Sequence, residues 1–171
     1  MEHTAAFAIQ KLIAYMAGDA KRINHALKVY ALAKSLGELE NLPAEKQIIL
    51  ELAAVFHDIG IRESEKKYAS AAAKYQEEEG PPVARSFLKE LNVPEQMINR
   101  VCFLIGSHHT YGKIDDLDFQ ILVEADFLVN IFEVGMKKEQ IDTIKQTIFK
   151  TSTGRMYLEQ IYSREDTLGR N

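Results

Sequence analysis

Cysteine is nearly absent from this chain: one residue in 171, Cys102. No disulfide can form within it, so it does not rely on bridges to hold its core, and a reducing cytoplasm is the expected setting. Cys102 lies in the apolar run Val101-Cys102-Phe103-Leu104-Ile105 and reads as a packing residue. Long apolar runs are missing too. None approaches the ~20 residues a membrane-spanning helix needs. The start, Met1-Glu2-His3-Thr4, lacks the basic segment and apolar core of a secretion signal. Positive charge is in deficit, with 21 Lys and Arg against 25 Asp and Glu and a formal net charge of -4. That balance argues against a protein that coats a nucleic acid polymer, while leaving room for a local basic pocket. There is no internal repeat, no low-complexity segment and no Gly-rich phosphate loop. No Ser-His-Asp or Cys-His arrangement is visible, so a covalent intermediate is not expected.

What the chain has in quantity is helical periodicity. Apolar residues make up 46% and charged residues 27%, close to soluble globular proteins. The pattern predicts a first helix over 4–17 ended by Gly18, then Asp19 capping a second over about 20–36 with Gly37 as its stop. Pro43 opens a third helix that runs to His57-Asp58. Ile59 to Tyr68 reads as a charged connection, followed by a short helix near 69–79. Gly80-Pro81-Pro82 is expected to break the chain before a helix over 82–91. Pro94 starts another, to about His108. Helices near 118–134, 137–150 and 153–163 complete the chain. No segment alternates as a strand does. The expectation is one all-α domain over 1–171, with a motif-bearing core at about 20–130 and C-terminal helices at about 137–163.

Five histidines are present, and each has an ordinary explanation when taken singly. His3 is terminal, and His25 continues an apolar helix face. His57 sits at a helix C-terminus, where the dipole favours it. His108 and His109 lie at another helix end. Asp126 lies within the apolar run Ile121-Leu122-Val123-Glu124-Ala125-Asp126-Phe127-Leu128-Val129, where a carboxylate is costly unless it is paired or holds a metal. Taken together, His25, His57, Asp58 and Asp126 offer two imidazoles and two carboxylates. Those four groups form a usual shell for one divalent first-row metal and balance its charge.

These residues, in this order, resemble the HD-domain superfamily of metal-dependent phosphohydrolases. The resemblance is carried by His25 in Arg22-Ile23-Asn24-His25, by Val55-Phe56-His57-Asp58-Ile59-Gly60, by Ser107-His108-His109 and by Glu124-Ala125-Asp126. It implies an all-helical fold in which His25, His57, Asp58 and Asp126 hold the metal. Two-metal members of that superfamily carry a further histidine where this chain has Gln76, which argues for a single ion here and leaves His108, His109 and a nearby glutamate as the groups a second ion would use. The ion would be Mn, Co, Ni, Fe, Zn or Mg.

The implied chemistry is hydrolysis of a small phosphorylated substrate, a nucleotide among the candidates, by a metal-activated water. Asp58 both holds the ion and orients the water, while His108 or His109 protonates the leaving oxygen. Arg22, one turn before His25 on the same side, and Lys66 are the candidate phosphate contacts; Lys21 and Lys67 are nearby. No nucleic acid polymer and no membrane are expected as partners, and a homodimer is compatible with the sequence. Two alternatives stand beside this reading. One is a noncatalytic ligand-binding or regulatory module that retains the metal site. The other is an oxygenase, which Gln76 disfavours.

Overall fold

A computed structural model describes residues 4–162. His3 and the end of the helix expected to reach 163 lie outside the described residues. Within them the regular elements are helical, with one short 3-10 turn at Tyr111–Lys113, so the fold is all-α as the periodicity implied. Among the described residues no helix is long and apolar enough to cross a membrane.

The first helix, α1 (Thr4–Tyr15), gives way to a turn at Gly18. Asp19 then caps α2 (Ala20–Leu39), its carboxylate accepting from the Arg22 backbone N–H at 3.1 Å. Contrary to expectation, α2 continues through Gly37. A Cβ at that position would lie 2.2 Å from Gln47 Oε1 and 2.9 Å from Leu50 Cδ2. Glycine therefore serves the close approach of the next helix, not the end of its own. That helix, α3 (Ala44–Phe56), begins behind Pro43 and ends on His57.

Two further corrections concern the stretch between the motifs. The segment after Ile59, read as a connection, is a helix, α4 (Ile61–Tyr68). Gly80-Pro81-Pro82, read as a break, lies inside one continuous helix, α5 (Ala73–Glu90). Each proline forfeits a backbone donor, and an interior proline costs a helix ~3 kcal/mol in isolation. Tertiary packing overrides that local preference. A Cβ at Gly60 would fall 2.5 Å from the Gly80 nitrogen, and one at Gly80 would fall 2.7 Å from Ile105 Cγ2. Gly80, Ala84 and Leu88 are all buried along this contact.

Beyond α5, α6 (Glu95–Ile105) starts behind Pro94 and stops three residues short of His108, which leaves both histidines in a turn. α7 (Leu117–Val134) closes on Gly135, and α8 (Lys138–Thr147) and α9 (Ser152–Tyr162) follow. α3 and α7 are buried over most of their surface and form the centre of the core, with Leu50, Leu52, Phe56, Phe119, Ile121 and Leu122 inaccessible. α2 packs on both, α6 covers α3, and α9 covers α7. The buried Glu124 fastens the C-terminal helices to α7. Its carboxylate accepts from the Lys150 and Thr151 backbone N–H groups, at 2.6 and 3.0 Å, and from the Thr151 hydroxyl.

Candidate metal centre

The end of α3 delivers two polar groups at one place. His57 is fully buried, and its Nδ1–H donates to the Ala54 carbonyl one turn back at 2.8 Å. That leaves Nε2 with a lone pair. Opposite it, α2 presents His25, whose Nδ1–H donates to Glu133 Oε2 at 2.8 Å, so its Nε2 also carries a lone pair. The two Nε2 atoms are 3.1 Å apart. Two lone pairs do not face each other at that distance unless a proton or a cation lies between them.

Two carboxylates complete the cluster. Asp126 Oδ1, from α7, is 3.2 Å from His25 Nε2 and 3.6 Å from His57 Nε2. Asp58 Oδ2 is 3.5 Å from His25 Nε2 and 3.4 Å from His57 Nε2. Neighbouring donors at right angles around an ion with bonds of ~2.1 Å stand ~3 Å apart. His25, His57 and Asp58 thus fit a divalent cation in donor chemistry and in spacing, and Asp126 Oδ1 stands within 3.6 Å of both imidazoles. The electrostatics agree. Burial works to lower the His57 pKa, yet the Asp58 and Asp126 carboxylates outweigh it and raise it to about 9. Burial works to raise Asp126, but hydrogen bonds from His25 and His57 hold it well below the usual carboxylate range. Asp58, drawn down by His57 and His108 against its burial, falls to about 2. The pocket is anionic and retains protons that a cation would replace.

Asp58 faces in two directions. Its Oδ1 is 3.5 Å from His108 Nε2, a buried atom with no well-aligned hydrogen bond. The other nitrogen of that ring donates to the Ile105 carbonyl at 2.7 Å. The His109 ring lies against His108, centroids 3.9 Å apart, with its Nε2 3.4 Å from Gln76 Oε1. Asp58, His108 and His109 therefore make a second group of ligand-type atoms sharing Asp58 with the first. Gln76 stands beside this second group, where an amide oxygen is a weaker metal donor than an imidazole. Glu77 holds the turn in place by accepting from the His109 N–H and the Thr110 hydroxyl, both at 3.0 Å.

The structure does not bring Arg22 or Lys66 into this cluster. The Arg22 guanidinium is held by Asp19 at 3.0 Å and by Glu65 of α4 at 2.5 Å, and it lines a separate cavity with Tyr15 and Arg62. Lys66 is in solvent, its side chain 74% exposed and 3.8 Å from Glu63. The cause is the helical character of α4, which places acidic partners beside both cations. Three contacts went unmarked in the sequence: Glu77, Glu133 and Asn130, whose Nδ2–H donates to Asp126 Oδ1 at 2.8 Å. Asn130 and Glu133 follow Asp126 by four and seven residues, a spacing that puts all three on one face of α7.

The helical domain converges two histidines and two aspartates on one place, a donor set suited to a metal ion. A family model described as HD domain matches residues 22–150, about three quarters of the chain. The chain belongs to the HD-domain family, and with it to a superfamily of metal-dependent hydrolases. It is similar in fold to a crystal structure, at 1.45 Å resolution, of a predicted HD superfamily hydrolase from an uncultured Thermotogales bacterium. The TM-score is 0.67 at 22% identity, covering 94% of this chain and 86% of that one. No curated protein matches the chain.

Proposed function

We propose that this protein is a metal-dependent phosphohydrolase acting on a small phosphate ester, with nucleotides among the candidate substrates. The observation that carries the reading is the pair of imidazole Nε2 atoms 3.1 Å apart, flanked by two aspartates. In this reading His25, His57, Asp58 and Asp126 hold one divalent ion. When bound, such an ion lowers the pKa of a coordinated water and polarises a phosphoryl oxygen.

The remaining work falls to the chain. Asp58 Oδ1, the oxygen turned towards His108, accepts a hydrogen bond from the attacking water and orients it. Burial and the neighbouring His108 lower the His109 pKa. Protonation of the leaving oxygen falls to His108, whose Nε2 is 3.5 Å from Asp58 Oδ1, or to His109 beside it.

A second reading, a ligand-binding module that retains the metal site, draws support from Arg22, whose commitment to Asp19 and Glu65 removes one expected phosphate contact. Metal content and steady-state hydrolysis separate the two. Asp58→Ala should lose both metal and activity. His108→Ala and His109→Ala should keep metal, and at least one should lose roughly 10²–10⁴ in rate, the usual contribution of a positioned acid. A wild type that holds its ion and turns over nothing in a broad phosphomonoester, phosphodiester and nucleotide library hands the site to the module reading. Full metal content in both Asp58→Ala and His57→Ala would refute the ligand set.

A further inference from the structure

Lys28, Glu133 and His25 form a chain of contacts behind the four ligand-type residues. Lys28 Nζ is 2.5 Å from Glu133 Oε1, and the other carboxylate oxygen is 2.8 Å from His25 Nδ1. We propose that Glu133 is a positioning residue, which fixes the His25 tautomer and ring orientation and so sets the affinity of the site for its ion. The inference rests on the reading of His25 as a metal ligand.

The argument starts from the two tautomers of a neutral imidazole. Only the one with its proton on Nδ1 leaves Nε2 free to face His57 and Asp126, and only a hydrogen-bond acceptor beside Nδ1 selects it. Glu133 is such an acceptor. Lys28 Nζ, 2.5 Å from the other carboxylate oxygen, holds it against the ring. The contrast with His57 is instructive. That ring is fixed by a backbone carbonyl of its own helix, Ala54, which any residue would supply. His25 Nδ1 instead bonds a side chain from α7. α7 therefore contributes to the site twice, with Asp126 directly and with Glu133 through a residue on α2.

The test is calorimetric titration of manganese into metal-stripped full-length protein, for wild type, Glu133→Ala, Glu133→Met and Glu133→Gln, with circular dichroism to verify the fold. Alanine and methionine both remove the acceptor, and methionine preserves the bulk should the alanine variant fold poorly. Glutamine retains an acceptor oxygen. The expected result is a 10–100-fold weaker manganese affinity for Ala and Met, the usual cost of losing such a partner, with Gln recovering most of it. A folded Glu133→Met that binds manganese as tightly as wild type overturns the proposal. So does a Glu133→Gln as weak as Glu133→Met, since the acceptor would then be irrelevant. A wild type that takes up none of manganese, cobalt, nickel, iron, zinc and magnesium, or a His57→Ala that binds manganese undiminished, refutes the metal-site reading itself.

Discussion

At the scale of single residues the site is a problem in proton placement. His57 has no exposed surface, and two carboxylates hold its proton until about pH 9 in the metal-free protein. A group whose folded pKa is raised stabilises the fold fully below its unfolded value of ~6.5 and loses that contribution as pH rises through the folded one. The metal-free protein should therefore lose stability between about pH 6.5 and 9. Over the same window metal affinity should rise, because the ion must displace a proton, by up to ~10-fold per pH unit for each proton released. Melting curves of stripped protein and manganese titrations in buffers of different ionisation heat measure both. A manganese affinity that stays flat from pH 6.5 to 9 would show that His57 gives up no proton to the ion. The histidines and aspartates were legible in the sequence because polar groups interrupt apolar helix faces there. Glu133 and Asn130 were not, because they lie at the end of α7 among residues whose partners come from α2 or from the site itself.

At the scale of elements the site depends on helices that come unusually close. Gly60 lies two residues after Asp58, and a side chain there would strike the α5 backbone at Gln76 and Gly80. The missing side chain brings α5, with Gln76 and Glu77, against the turn that carries His109. Gly60→Ala should cost about 1–3 kcal/mol, the usual penalty for forcing extra volume into a packed contact. It should also slow turnover by displacing that turn, even where metal is retained. Urea denaturation beside metal analysis checks it, and an unchanged midpoint would show that the contact yields without cost. The same crossing explains the misreading of Gly80-Pro81-Pro82. Local rules score prolines by the hydrogen bonds they remove, and they contain no information about a neighbouring helix that compensates. Gly37 was misread for the same reason: its use is to admit Gln47 and Leu50 from α3.

At the scale of the whole molecule, the four ligand-type residues come from α2, α3 with its following turn, and α7, the helices around which the core is built. An ion that binds only the folded arrangement therefore stabilises the entire domain. At a free metal concentration ~100-fold above the dissociation constant the gain is about 2.7 kcal/mol. Chelation should lower the melting temperature, and manganese, cobalt or nickel should restore it. A melting curve unmoved by verified metal removal would mean that the cluster is held by its hydrogen bonds alone. The all-α class and the order of the ligand-type residues were determined by the sequence itself, because helical periodicity and the cost of burying a carboxylate are local properties that a single chain displays. Which cations reach the site was decided only by tertiary structure. Arg22 sits one turn from His25 in sequence, yet Glu65 on α4 claims it, while Glu133, more than a hundred residues from His25, lies 2.8 Å from its ring. Pairing between charges depends on distance in space, and only the packed fold sets that distance.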